Sequence, residues 1–249
     1  MTTPARTRLQ LLGHATFKVT TPEGHVILID PWLRDNPFIP AEHRSQPRID
    51  LMLITHGHED HCDPQLPAIV AETRPVLVVN NIVRWFLLAQ QVPEALFEPM
   101  NLGGTTAVLN GAVSVTMVNA FHVSHVQWPD GRIDLPHQAV GFVLRCSDGA
   151  TIYFAGDTSV FGDMQLIGTL YCPTLAVLPI GDRYTMGPLE AAHAIRLLGV
   201  RHVVPFHYGT YPSLTGTPAQ LATLTQDVAG LQIHALQASE TLDMAEVTG

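Results

Sequence analysis

The segment Thr55-His56-Gly57-His58-Glu59-Asp60-His61 places three imidazoles and two carboxylates within six residues. Neutral imidazole nitrogens and carboxylate oxygens are the ligands that borderline divalent metals prefer, and a short loop gathers them with little chain-closure cost. The apolar run Leu51-Met52-Leu53-Ile54 directly precedes the cluster and reads as a buried strand. The polar side chains therefore project from the edge of a core rather than from a solvated loop, and metal binding is the first chemistry to consider.

The same hand-over from apolar run to ligand-type residue recurs along the chain. Ile27-Leu28-Ile29 ends at Asp30, Ile152-Tyr153-Phe154 runs to Asp157, Leu178-Pro179-Ile180 to Asp182, and Val203-Val204-Pro205-Phe206 to His207, while the run at 115–118 lies shortly before His122. Ligands at the ends of several core strands are what a rigid scaffold presenting one site produces. Strands that merely end in polar turns would explain the aspartates more easily than the histidines. Strands are expected at 9–12, 16–20, 26–29, 51–54, 76–79, 113–118, 141–146, 151–155, 175–178, 203–206 and 231–235. Ser147-Asp148-Gly149 has the chemistry of a hairpin turn. Helices are expected at 82–91, 162–170, 188–198 and 218–229; Thr217 caps the last of these, with Pro218 in its first turn, and Gly199 stops the third. The class is mixed α and β.

Composition narrows the function. With 46% hydrophobic and 14% charged residues and no linker-like tract, the 249-residue chain reads as one domain over 8–243, with 1–7 and 244–249 expected to fray. Thirteen Lys and Arg against twenty-two Asp and Glu, with no basic run, disfavour nucleic acid and leave a small molecule as the expected partner. No stretch is long enough to span a bilayer and no leader pattern opens the chain, so the expected location is cytoplasmic. Cys62, Cys146 and Cys172 show no CxxC spacing and read as buried free thiols. Neither a G-x-S-x-G elbow nor an H-E-x-x-H helix is found, so serine-hydrolase and zincin chemistries lack their signatures.

His56, His58, Asp60 and His61 form H-x-H-x-D-H, which resembles the hallmark of the metallo-β-lactamase superfamily. Gly13-His14-Ala15-Thr16-Phe17, Ile29-Asp30-Pro31, Ala120-Phe121-His122, Ala155-Gly156-Asp157-Thr158 and Pro205-Phe206-His207-Tyr208 follow in the expected order. With Leu178-Pro179-Ile180-Gly181-Asp182 and Thr185-Met186-Gly187-Pro188, the pattern resembles a branch of uncharacterised metal-dependent hydrolases related to ascorbate-6-phosphate lactonase. The resemblance implies a four-layer αββα sandwich and two divalent metals, zinc first and manganese, iron or nickel as alternatives. It assigns His56, His58 and His122 to one metal and Asp60, His61 and His207 to the other, with Asp157 bridging. His125, three residues beyond His122, is an alternative to it. A carboxylate in place of His58 would resemble the flavodiiron oxidoreductases, so the imidazole there favours hydrolysis.

Two divalent ions about 3.5–4 Å apart can share a water and lower its pKa toward neutrality. The implied nucleophile is thus a metal-bridging hydroxide acting on a small ester, lactone or phosphoester, with Asp60 or Asp157 as proton acceptor. A phosphodiesterase or nuclease acting on nucleotides or RNA is the alternative. Asp30, His14 and Asp182 are candidates to orient ligand histidines, or equally to cap turns. Tyr184, Tyr208 and Tyr211 are candidates to line the pocket or to pack. The irregular segment 123–139 reads either as a loop over the pocket or as a subunit contact in a homo-oligomer.

Overall fold

The structure, a computed structural model, describes residues 5–133 and 137–248. β1 (Arg8–Gly13), β2 (Thr16–Thr20) and β3 (Val26–Ile29) form a meander; β4 (Leu51–Ile54) then passes through α1 (Leu66–Thr73) to β5 (Val76–Val79) and α2 (Asn81–Ala89). β6 (Thr105–Val108), β7 (Val113–Ser124), β8 (His137–Cys146) and β9 (Thr151–Phe154) follow as antiparallel neighbours. α3 (Met164–Tyr171), β10 (Leu175–Pro179), α4 (Pro188–Leu198), β11 (His202–Phe206), α5 (Pro218–Leu224) and β12 (Gln232–Ile233) form crossover units, and β13 (Thr241–Asp243) with α6 (Ala245–Thr248) ends the described chain. One sheet has the order β13-β1-β2-β3-β4-β5, and the other β12-β11-β10-β9-β8-β7-β6.

The layers follow from the two-residue period of a strand. Leu51 and Leu53 point into the space between the sheets, where they join Phe17, Val115, Met117, Phe142 and Phe154. Met52 and Ile54, one residue out of phase, pack with Leu66, Ile69, Val83 and Leu87 of α1 and α2. The second sheet behaves likewise: Phe142 and Phe154 face inward, while Val143 and Tyr153 meet Met164, Ile167, Ala191, Ile195 and Leu221 of the outer helices. Strands apolar on both faces thus require helices outside and a second sheet inside, which is the expected αββα sandwich. Phe17 joins the sheets, its ring 6.0 Å from Phe154 and 5.7 Å from Phe206. Among the described residues no helix is long and apolar enough to cross a membrane.

Several expectations need correction. The segment 123–139 is not irregular throughout: β7 continues to Ser124 and β8 begins at His137, with Val123 opposite Gln138 and Ser124 opposite His137 beyond a register shift. Residues 134–136 of that segment lie outside the described ones. The tail is ordered at 245–248 as α6, because Met244 donates to the Thr7 carbonyl and both Met244 and Val247 are buried. Thr7 is buried too, its backbone N–H and hydroxyl both bound to the Asp148 carboxylate. The strand expected at 231–235 shortens to Gln232–Ile233 and the helix expected at 218–229 ends at Leu224. Cys172 is exposed, whereas Cys62 and Cys146 are buried.

Two outcomes test this packing. A Cβ on Gly168 would lie 2.3 Å from the Leu198 carbonyl oxygen, so α3 and α4 meet where only glycine fits. Gly168→Ala is expected to destabilise by about 1–3 kcal/mol in urea unfolding, and an unchanged midpoint would mean the helices stand further apart. Burial, with Asp30 and Asp63 nearby, pushes the Cys62 thiol up to about 12, and burial pushes Cys146 up to about 11. Iodoacetamide should therefore modify Cys172 alone in the native protein and all three thiols after unfolding, as read by mass spectrometry.

Candidate metal centre

The site lies along the edge where strands of both sheets end. Asp30 follows β3, Thr55 to His58 follow β4, Asp157 follows β9 and His207 follows β11. The polypeptide turns sharply at these points. His14, Asp30 and His207 hold positive φ angles of 56°, 49° and 57°, a region that costs non-glycine residues energy and persists only where surroundings impose it. The His56–His61 loop closes as a helical turn, with the N–H groups of His61 and Cys62 donating to the His58 carbonyl. Gly57 is pinned under the β7–β8 hairpin: its N–H donates to Ser124 Oγ, and a Cβ there would lie 2.6 Å from the His125 carbonyl oxygen.

Among the described residues three groups of donor atoms result, each with all its atoms within 4.8 Å of one another: His56, His58 and His122; His14, Asp60, His61 and His207; and, behind these two, Asp30 with His56 and His61. Asp157 stands between the first two. Its Oδ1 is 3.3 Å from His61 Nε2, while its Oδ2 is 3.3 Å from His207 Nε2 and 3.9 Å from the Nε2 atoms of His56 and His122. All seven residues that the resemblance names come together here. His122 Nε2 also lies 3.3 Å from His58 Nδ1, whereas His125 places its ring 4.6 Å from that of His58, on the outer side.

A single carboxylate orients much of this array. Asp30, buried, accepts from Thr55 N–H at 2.7 Å and from Thr55 Oγ1 at 2.8 Å. Its Oδ2 also lies 2.8 Å from His61 Nδ1. An ionised carboxylate only accepts, so His61 carries its proton on Nδ1. The Thr55 hydroxyl has given its proton to Asp30, so it accepts from His56 Nδ1 at 2.9 Å. Both histidines thereby turn Nε2 toward Asp157, the nitrogen that a cation would take. On the other side His14 bridges Thr210 Oγ1 at 2.7 Å and Asp60 Oδ2 at 3.2 Å.

The charges are unbalanced without a cation. Burial disfavours a proton on His61, yet Asp157, Asp30 and Asp60 outweigh it and raise its pKa well above the usual range. Burial lowers His56 strongly and brings His58 and His14 down to about 4, so these rings are neutral and able to ligate near neutral pH. For Asp157, burial favours the proton, but His207, His61 and His56 hold the carboxyl well below its usual range. His61 Nε2, His207 Nε2 and Asp157 Oδ1 are buried without a hydrogen-bond partner. Such orphans cost about 1–3 kcal/mol each, and three converging in one place fit divalent cations, whose bonds would satisfy them.

The comparisons agree with this geometry. Residues 25–208 match the model of the beta-lactamase superfamily domain. A UPF0173 metal-dependent hydrolase of Rubrobacter xylanophilus is 48% identical over 237 residues, covering 95% of this chain and 96% of the relative. The chain belongs to the UPF0173 metal-dependent hydrolases of the metallo-β-lactamase superfamily. A UPF0173 hydrolase of Chloroflexus aurantiacus is 43% identical over 86% of this chain and 87% of its own length. The solved structure of Igni18, a metallo hydrolase from Ignicoccus hospitalis, superposes with a TM-score of 0.79 at 29% identity, covering 95% of this chain and 97% of that one.

Within this UPF0173 hydrolase, not every candidate reaches the site. Asp182 is an exposed turn residue with φ 68°, its backbone bonded to Met186 and Thr185, and no hydrogen bond joins it to the ligand cluster. Tyr208 lines a separate cavity with His14, His207, Phe206 and Leu236 and does not line the cleft that opens on His58 and Asp60. Tyr184, Tyr211 and His125 do line the cleft. Thr55, Thr210 and Asp63 were not legible as site residues. Asp63 accepts from the N–H groups of Leu33, Arg34 and Gln65, which ties the loop after Pro31 to the start of α1. A hydroxyl preceding the first ligand histidine was the one available signal, for Thr55.

Asp30→Asn should weaken metal binding about 10–100-fold, because the amide cannot accept from both His61 and Thr55. Titration with a chromophoric chelator measures this directly; an affinity equal to the parent protein's would show that Asp30 does not set the ligand orientation.

Proposed function

We propose that this metal-dependent hydrolase works with two divalent ions, zinc first among the candidates, on a small ester, lactone or phosphoester. The observation that carries the reading is the convergence of four histidine Nε2 atoms on the two oxygens of buried Asp157. In this reading His56, His58 and His122 would hold one ion and Asp60, His61 and His207 the other, with the Asp157 carboxylate available to both. When bound, the ions acidify a water and polarise the scissile oxygen.

The remaining work falls to the protein's own groups. Asp60 is the carboxylate that reaches the cleft, its side chain 32% exposed against 3% for Asp157. Its Oδ2 is engaged by His14, so Oδ1 is the atom that takes a proton from the attacking water and returns it to the leaving group. His14, fixed by Thr210, keeps that carboxylate in position. Asp30 and Thr55 hold His61 and His56 in one tautomer throughout, so ligand reorganisation adds little to the barrier.

Protein loaded with zinc or manganese is expected to carry two ions per chain by elemental analysis and to hydrolyse dihydrocoumarin or phenyl acetate. His58→Ala should lower the stoichiometry toward one and turnover by about 100-fold or more. Less than one ion per wild-type chain, or turnover that survives exhaustive chelation, would overturn the dinuclear reading.

A further inference from the structure

Two cavities meet the metal edge, and together they describe the substrate. A cleft of about 710 Å³ opens on His58, Asp60 and His207 and is walled by Trp32, Tyr184, Tyr211 and Leu214. Tyr184 and Tyr211 are 60% and 40% exposed, so part of each ring is free to pack on a substrate in the cleft. Tyr211 is held rigid, its ring meeting Phe38 edge-on at 5.2 Å and His14 at 5.7 Å. On the far side of His122 a second cavity of about 530 Å³ is lined by Phe121 and Val123, 54% and 73% exposed, with His137 beside them.

No lysine or arginine lines either cavity among the described residues. The charged side chains that do, Glu59 and Asp60, are acidic. Of the arginines nearest in sequence to the lining residues, Arg34 pairs with Glu72 at 2.6 Å and Arg132 lies 4.7 Å over the Trp128 ring; Arg183 stands 5.9 Å from the ring of Tyr184, beside the cleft, and does not line it. A phosphate ester group brings up to two negative charges and is normally met by arginine, lysine or a cluster of backbone N–H donors. The ions of the proposed centre would meet a phosphate only at the reacting bond; one carried elsewhere on the substrate would lie against Glu59 and the two tyrosine rings, with no lining cation to receive it.

We propose that the substrate is an uncharged carboxylic ester or lactone with a flat or apolar substituent, packed against Tyr184 and Tyr211, and not one that carries a phosphate away from the reacting bond. This rests on the hydrolytic reading above and selects within it. Water adds to the acyl carbon, the acyl C–O bond breaks, and the proton held by Asp60 passes to the departing alkoxide, giving an acid and an alcohol or the opened hydroxy acid. Tyr184 and Tyr211 are specificity-determining residues; neither touches the reacting atoms.

The test compares phenyl acetate with 4-acetoxyphenyl phosphate, the same ester bearing a remote phosphate, and with 4-nitrophenyl phosphate, in which phosphorus is the reacting centre. On metal-loaded protein, kcat/KM for phenyl acetate is expected to exceed both by about tenfold or more, since the remote phosphate of the first meets a like charge at Glu59 and the second offers no acyl carbon. Tyr184→Ala and Tyr211→Ala should each raise KM for dihydrocoumarin about fivefold with kcat within about twofold, the size of one aromatic contact. The uncleaved amide analogue 3,4-dihydro-2-quinolinone should show the same fivefold weakening by calorimetry on metal-free protein, a readout independent of catalysis. Equal or better turnover of either phosphate compound, or tyrosine variants that bind the analogue as the parent does, overturns the assignment while leaving the hydrolytic reading intact. If no substrate turns over on protein carrying two ions, the hydrolytic reading itself fails and the assignment with it.

Discussion

Everything at the metal edge depends on how the Asp30 carboxylate is satisfied. It sits buried at the end of β3 in a backbone conformation that ordinary residues avoid, and three donors close around it: the Thr55 amide, the Thr55 hydroxyl and His61 Nδ1. Because an ionised carboxylate can only accept, the direction of each hydrogen bond is fixed, and through the Thr55 hydroxyl the tautomer of His56 is fixed as well. The buried end of β3 therefore determines which nitrogen of His56 and of His61 faces the centre. Desolvation opposes charge on Asp30 and pushes its carboxyl upward, with His61 and Thr55 working against that push. Cation binding would relieve the same tension, so the empty-handed charge pattern and the ligand orientation have one origin.

The scaffold makes that arrangement possible by separating two tasks. Packing is handled by strands whose alternate residues serve the inter-sheet core and the helix layers, so that hardly any polar atom is needed inside. Chemistry is confined to the first residues after each strand, where rigidity is inherited from the sheet while side chains are free to be polar. The strained φ angles at His14, Asp30 and His207 mark where the chain leaves a sheet and must turn at once toward the site.

This division explains what could be read without coordinates. The apolar runs and their hand-over to His or Asp are local signals, and they sufficed for the mixed α/β class and the His56–His61 loop; the αββα layering and the roles of Asp157 and His207 came from the resemblance to the metallo-β-lactamase superfamily. His122 against His125 was open, because the choice depends on a register shift between Asn119 and Val123 that no periodicity announces. Thr210 and Asp63 act through partners far away in sequence, His14 and Leu33 among them, and nothing in their neighbourhood signals it. The edge strands β6 and β13 are short, with mixed patterns, and α1 opens with Leu66-Pro67, a start signal that the adjoining ligand loop obscures. Asp182 and Tyr208 sit beside the right strands but turn elsewhere, since position after a strand does not decide direction.

The proposed ligands are divided between the sheets: His56, His58, Asp60 and His61 follow a strand of the first, and His122, Asp157 and His207 belong to the second. No hairpin or crossover unit, formed alone, contains a working set of donors. During folding, local structure in each half can appear early, yet the centre exists only once the distant halves have docked, so it reports completion of the slowest, most non-local step. An incompletely folded chain then offers separate histidine clusters instead of the finished hydrolytic centre, and activity is withheld until the architecture is whole.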